Sequence, residues 1–367
     1  MQPKWEVADV LRQMDIEQQS VTGHQKKVLR AMADCRTAAL GGHVDACDDC
    51  GNITISYNSC RNRHCPKCQG HKRHEWIQQR EAELLPCTYY HVVFTLPHEL
   101  NGLALHKPAL VYKNLFDAAW QTLQQFGQTA GVQLGMIGIL HTWGQNLSLH
   151  PHLHCIVPGA GVNALGHWQK LKYSTKFLFP VKAMSKVFRA KYVACLRGNN
   201  MGDKPLYDTL FAKDWIVYAK RPFGGPKQVI EYLGRYTHKV AISNQRIAHV
   251  DSQTVSFNYK DYRDDSKVKS MQLSNVEFVR RLAQHILPQR FVRIRHYGIL
   301  SSSWKRGKLK ALQQLLKVPP LLKPEKSLLR QCRCCTAGQL VIVETFDNKG
   351  PPAKFIIEKT NMQPVSH

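Results

Sequence analysis

Hydrophobic positions recur at helical spacing from Val7 to Ala33: Val10, Leu11 and Met14, then Val28, Leu29 and Met32. That spacing predicts two short helices. Ile53 to Tyr57 alternates as a hairpin strand does. Tyr89 to Leu96 (YYHVVFTL) is a run of aromatic and β-branched residues, a buried strand stopped by Pro97. Pro108 to Ala130 returns to helical spacing through Leu110, Leu115, Ala118, Ala119 and Leu123. Two strands follow, Ile137 to Trp143 and Leu147 to Val157, separated by the turn residues Gly144-Gln-Asn146. Val181 to Arg197 reads as a helix and Trp215 to Lys220 as a strand. Past the Gly/Pro turn from Pro222 to Pro226, Gln228 to Lys239 reads as a helix. Gln245 to Tyr259, Val268 to Leu273 and Phe291 to Ile299 read as strands, and Ser274-Asn-Val-Glu277 as a capping box that opens a helix. A central hairpin, with helices between the other strands, predicts an antiparallel α+β sandwich.

Beyond residue 300 the pattern thins. Trp304 to Lys310 is a basic run, Val318-Pro-Pro320 and Pro324 mark a linker, and Gly338 to Phe346 suggests one short strand. Three segments are therefore expected: 1–85, 86–310 and a basic C-terminal extension, 311–367.

Charge changes the picture most. The 367 residues hold 51 Lys+Arg against 26 Asp+Glu, a net charge of +25, which points to a polyanionic partner, nucleic acid first. No stretch approaches the roughly 20 apolar residues of a membrane span, and Met1 to Asp15 lacks a secretory apolar core. The expected location is the bacterial cytoplasm, with the nucleoid, where thiols stay reduced. The 12 cysteines then read as metal ligands or buried thiols rather than disulfides.

Cys47-Asp-Asp-Cys50 and Cys65-Pro-Lys-Cys68 are two CxxC pairs separated by a predicted hairpin, the spacing of a structural four-thiolate Zn²⁺ site. Cys60 and His64 lie between them: members of a second site, substitutes in the first, or neighbours packed beside the ion. Arg61, Arg63, Lys67, Lys72, Arg73 and His74 crowd the same stretch, a basic surface suited to DNA phosphates. Cys332 and Cys335 form a further CxxC, with Cys334 between and no second pair following: a pair that borrows ligands from elsewhere in the chain or, the commoner case, is inert.

In the second strand of the hairpin, His150, His152 and His154 alternate with Pro151 and Leu153, so the three imidazoles share a face. A divalent metal is the usual use of such a face. Tyr232 and Tyr236, four apart on the predicted helix, also share a face, flanked by Arg235, His238 and Lys239. A phenolate can attack a phosphodiester to give a phosphotyrosine, with a metal neutralising the non-bridging oxygens. Arg235 and Lys239 would hold neighbouring phosphates.

On these residues the chain resembles a known family. Tyr90 to Asn101 (YHVVFTLPHELN), His141 to Gly161 (HTWGQNLSLHPHLHCIVPGAG) and Arg221 to Asn244 (RPFGGPKQVIEYLGRYTHKVAISN) are similar to the rolling-circle insertion-sequence transposases of the ninety-one type. Cys35 to Gly70 resembles that family's N-terminal zinc-binding domain, and Arg293 to Leu300 (RIRHYGIL) a later strand; together these cover about residues 5 to 310. The resemblance implies a two-tyrosine HUH endonuclease with a ferredoxin-like (RRM-like) antiparallel sheet, acting on single-stranded DNA at insertion-sequence ends. It implies a Mg²⁺ or Mn²⁺ site on His152 and His154, nucleophiles Tyr232 and Tyr236, and a third ligand to be found among Gln228, Gln145 and His150. No GxxxxGK[ST] loop is present, so strand unwinding is expected from a host helicase or the replication machinery. Two other functions fit parts of the pattern: a plasmid or phage replication initiator using the same chemistry, and a zinc-dependent DNA-binding protein without catalysis.

Overall fold

The computed structural model describes residues 3–68, 77, 79–171, 178–219, 228, 229, 234, 239–319 and 330–356. In chain order its first strands are β1 (Gly42–Cys47), β2 (Ile53–Tyr57), β3 (Tyr89–Thr95), β4 (Val132–Gln133), β5 (Gly135–Trp143), β6 (Leu149–Pro158) and β7 (Ala160–Asn163). Then come β8 (Trp168–Lys170), β9 (Val217–Ala219), β10 (Ile247–Val250), β11 (Thr254–Asp261), β12 (Lys267–Ser274), β13 (Ile294–Gly298) and β14 (Leu340–Phe346). The ladders between them are antiparallel and helices alternate with them along the chain, so the class is α+β. Two compact units result. One combines Met1–Gly70, Ile242–Ala283 and Leu322–His367; the other combines His71–Ala241 and Gln284–Leu321. Neither is a single stretch of chain. Among the described residues no helix is long and apolar enough to cross a membrane.

The second unit is built on a five-stranded sheet in the order β13-β5-β6-β3-β9. Alternation sorts its faces. Tyr90, Val92 and Phe94 of β3, Leu140 of β5, and Leu153, Cys155 and Val157 of β6 join one buried cluster. The helices Pro108–Thr129 and Val181–Gly198 cover that face, contributing Leu115, Phe116, Leu123, Phe188 and Tyr192. This packing is what holds β6 flat and in register; truncating Leu153, 0% exposed, to Ala would cost roughly 2–5 kcal/mol. On the opposite face Tyr89, Ile137, Ile139 and Ile156 pack with Leu300, Leu309 and Leu312. The helix Lys308–Leu315, which supplies the last two, takes up the end of the basic run.

The turn between β5 and β6 is pinned from outside the hairpin. Leu147 is fully buried at φ 60°, a conformation that costs a non-glycine residue about 1 kcal/mol or more. His285 offsets it: its Nε2–H donates to the Leu147 carbonyl at 3.1 Å, while Nδ1 accepts from the Thr142 hydroxyl at 3.2 Å. A register shift between His141 and Trp143 marks a bulge at the strand end.

In the first unit the N-terminal helices Val7–Arg12 and Gly23–Ala33 bury Val10, Leu11, Val28, Leu29 and Met32 as their spacing predicts. The expected strand from Gln245 to Tyr259 is two strands, β10 and β11. The break is at Asp251, whose carboxylate accepts the N–H groups of Gln253 and Thr254 at 2.8 and 2.7 Å and so builds a turn. They join β12 in one sheet, with Phe278, Val279 and Leu282 of the helix Asn275–Gln284 buried beside Phe257. A second sheet has the order β14-β1-β2, so the C-terminal strand pairs along the whole of β1, from Gly42↔Phe346 to Cys47↔Leu340.

Candidate functional site

His152 and His154 stand on the sheet face away from the two long helices, and β5 adds a third imidazole to them. His141 is directly opposite His152 in the ladder, and ligand atoms of His141, His152 and His154 all lie within 4.8 Å of one another. The ring of His141 is 4.5 Å from that of His154 and stacks on Trp143 at 4.6 Å, two residues on, where the bulge brings the indole over it. Burial, helped by His150 and Lys239, holds His152 down to about 4. Burial also holds His154 well below its ordinary value, with His141, His152, His91 and Lys239 adding to the effect. Both rings are therefore neutral near pH 7, the form that ligates a metal.

Each ring is held from behind, and for His152 this fixes the tautomer. His152 Nδ1 lies 2.7 Å from the His150 carbonyl oxygen, so Nδ1 carries the proton and Nε2 keeps its lone pair. His154 Nδ1 lies 2.9 Å from Nε2 of His91, a buried residue of β3 whose ring is stacked at 5.1 Å. This is the outer shell that metal-binding histidines use. Two neutral imidazoles with a third ring within ligand distance suit a divalent cation.

The other expected residues distribute around this centre. His150 is exposed and stands outside the group of three; its contribution is the carbonyl under His152. Gln145 lies in the hairpin turn and Gln228 is exposed. Tyr232, Tyr236 and Arg235 lie outside the described residues. Lys239 is described: its carbonyl accepts from Arg293 Nη1 at 3.1 Å, and its charge acts on both His152 and His154. His141 was legible only in part. It shares the parity of Ile137 and Ile139, but its pairing with His152 depends on the hairpin register.

The cysteines regroup. Cys47 and Cys50 do not share a site with Cys65 and Cys68. Cys65 and Cys68 gather with Cys35 and Cys60, while Cys47 and Cys50 gather with Cys332 and Cys335. The reason is the hairpin: β1 and β2 run antiparallel from Gly42↔Tyr57 to Ala46↔Ile53. Cys47 is thereby at one end of the ladder, while Cys60, just beyond Tyr57, is carried to the other, beside Cys35. In the first group the Sγ atoms of Cys35 and Cys68 are 3.4 Å apart and those of Cys60 and Cys68 3.6 Å. Hydrogen bonds from Cys60 and Cys65 favour a thiolate on Cys35, and the thiolate in turn pushes Cys60 up to about 12. A divalent cation removes that conflict. His64 is outside the group and accepts from Arg63 Nε at 3.3 Å. Arg63 is half-buried and Arg61 exposed.

Comparisons with known proteins define the class. Residues 135–308 match the family described as "Putative transposase", and residues 7–96 match the "Transposase zinc-binding domain". The chain is 40% identical to "Putative transposase y4qJ" of Sinorhizobium fredii, covering 95% of this chain and 97% of that one. It is 30% identical to the transposase for insertion sequence element IS801 of Pseudomonas savastanoi, covering 78% and 71%. The chain belongs to the insertion-sequence transposases of the ninety-one type. A solved structure of the conjugative relaxase TrwC with oriT DNA overlaps 63% of the chain and 71% of its own, at 13% identity and a TM-score of 0.26, a likeness too slight to carry an argument.

Proposed function

We propose that this transposase nicks and rejoins single-stranded DNA at insertion-sequence ends through a covalent 5′-phosphotyrosine. The observation that carries the reading is the cluster of His141, His152 and His154, buried or half-buried and, for His152 and His154, held neutral, with Lys239 beside it. His141 takes the place of Gln145, Gln228 and His150 as the third ligand. Mg²⁺ or Mn²⁺ bound there would neutralise the scissile phosphate and polarise phosphorus.

The chain's own residues supply the rest. Tyr232 or Tyr236 gives up its phenolic proton and its oxygen bonds to phosphorus. The bond from phosphorus to the 3′ oxygen breaks, and that oxygen leaves with a proton. The 5′ phosphate stays on tyrosine until a target 3′ hydroxyl attacks it, which frees the tyrosine and restores a phosphodiester. A second tyrosine permits a second transfer before the first end is released. Lys239, Arg235, Arg61 and Arg63 contact phosphates. Cys35, Cys60, Cys65 and Cys68 hold a structural Zn²⁺ that shapes the zinc-binding domain. A host helicase or the replication machinery supplies unwinding.

The test is cleavage of a single-stranded element end with Mn²⁺, followed by mass-spectrometric mapping of the adduct. The 5′ phosphate is expected on Tyr232 or Tyr236, and the variant carrying both Tyr232→Phe and Tyr236→Phe should form none. An adduct that survives in that variant overturns the reading.

A further inference from the structure

The second thiol cluster joins parts of the chain almost 300 residues apart, and one of its halves falls outside the segment that matches the zinc-binding family, 7–96. We infer that Cys47, Cys50, Cys332 and Cys335 form a second tetrathiolate Zn²⁺ site, which fastens the C-terminal segment to the N-terminal zinc-binding domain. The site is distinct from the one on Cys35, Cys60, Cys65 and Cys68, and it does not depend on the histidine chemistry.

The geometry is that of a site built for the ion. A zinc tetrahedron with Zn–S of about 2.3 Å has sulfur–sulfur edges of about 3.8 Å. Across the two halves, Cys47 and Cys335 are 3.6 Å apart and Cys50 and Cys332 3.7 Å. Each half is a knuckle whose backbone N–H groups point at sulfur. Asp49 and Cys50 donate to Cys47 at 3.4 and 3.5 Å; Cys334 donates to Cys332 at 3.4 Å, and Gly338 to Cys335 at 3.3 Å. Such donors stabilise thiolate charge. Both knuckles close with the same backbone: the residue after each second cysteine, Gly51 and Thr336, has positive φ, 68° and 58°. A threonine held there is a local cost, which a bound ion offsets.

The knuckles are also stitched to each other. Asp48 N–H donates to the Gln339 carbonyl at 3.0 Å, and Gln339 N–H donates back to the Asp48 carboxylate at 2.7 Å. Gly338 is needed for this approach, because a Cβ there would fall 2.4 Å from Cys47 Sγ and 2.6 Å from Asp49 Cβ. Directly beyond, β14 starts at Leu340 opposite Cys47. The exposed thiol of Cys334 is not among the four. Binding would release the thiol protons to solvent and leave a site of charge −2.

The test counts zinc on the full chain by native mass spectrometry after EDTA has stripped weakly held ions. Two ions are expected in the wild type and in Cys334→Ser, and one fewer in the variant with Cys332→Ser and Cys335→Ser. Because that variant can fail by misfolding, Gly338→Ala is the second arm. All four thiols remain, yet one ion should pass to a competing chelator at least ten times faster than in the wild type. A zinc count unchanged by the cysteine pair, or an unchanged release rate in Gly338→Ala, overturns the proposal. A single ion lost with Cys332 and Cys335 but kept in the variant with Cys60→Ser and Cys65→Ser would uphold this site and refute the other.

Discussion

His91 tests whether the histidine cluster is organised for a metal or is merely buried. With Nε2 of His154 turned to the cation, Nδ1 must carry a proton, and the group within reach of that proton is His91 Nε2 at 2.9 Å. Replacing His91 by Phe keeps an aromatic ring in the stack and removes the acceptor. Without metal, His154 can switch tautomer and lose little. With metal it cannot, so the cost of an unmade buried hydrogen bond, about 1–3 kcal/mol, falls on the bound state alone. At 1.4 kcal/mol per decade this is roughly a 5- to 150-fold weaker Mn²⁺ affinity, which spans the range usual for outer-shell partners. The assay is Mn²⁺ titration by calorimetry, with thermal unfolding of the metal-free protein alongside. His91→Phe should show the affinity loss with little change in metal-free stability, and His91→Gln, which offers an oxygen near the same place, should recover part of it. Unchanged Mn²⁺ affinity in His91→Phe would refute the assignment of His154 as a ligand through Nε2.

Two further outcomes follow from groups outside the metal ligands. His285 is held down to about 4 by burial, against an unfolded value near 6.5. The folded chain therefore refuses a proton that the unfolded chain accepts between those values. The stability this residue confers is complete above pH 6.5 and is lost as the pH falls toward 4, by up to about 3 kcal/mol. His285→Gln should be about 1 kcal/mol less stable at pH 8 but shallower in its acid slope, as read by urea unfolding at several pH values; an unaltered slope would sink the idea. Single-stranded DNA affinity should fall steeply with salt, and Lys239→Gln should reduce the slope of log K against log salt by roughly 0.7, the share of one phosphate contact. A slope that does not move places Lys239 away from the DNA.

What could be read from the chain beforehand follows from how local each signal is. Val7 to Ala33, Pro108 to Ala130 and the β5–β6 hairpin were legible because their periodicity is written within a few turns or pairs. The alternation of His150 to His154 puts His152 and His154 on one face. His150 is at the exposed end of β6, where parity no longer guarantees burial, and it stands outside the group of three. His141 is fixed by strand register, and register in a hairpin hangs on a turn that is held by His285, far along the chain. The grouping of the thiols is likewise set by long-range pairing. Spacing between CxxC pairs carries no information about which pairs fold toward each other, and here a hairpin separates near neighbours while β14 brings in a distant pair.

The pairing of β14 on β1 has a consequence in time. At synthesis rates of about 5–20 residues per second, β1 leaves the ribosome roughly 15 to 60 s before its outer partner exists. Through that interval one edge of β1 presents unpaired N–H and C=O groups, the kind of edge that recruits other strands. The N-terminal unit is the first to be made and among the last to be finished. A message cut short, or a ribosome that stalls late, would yield a chain with all three histidines of the cluster in place but with that edge still open.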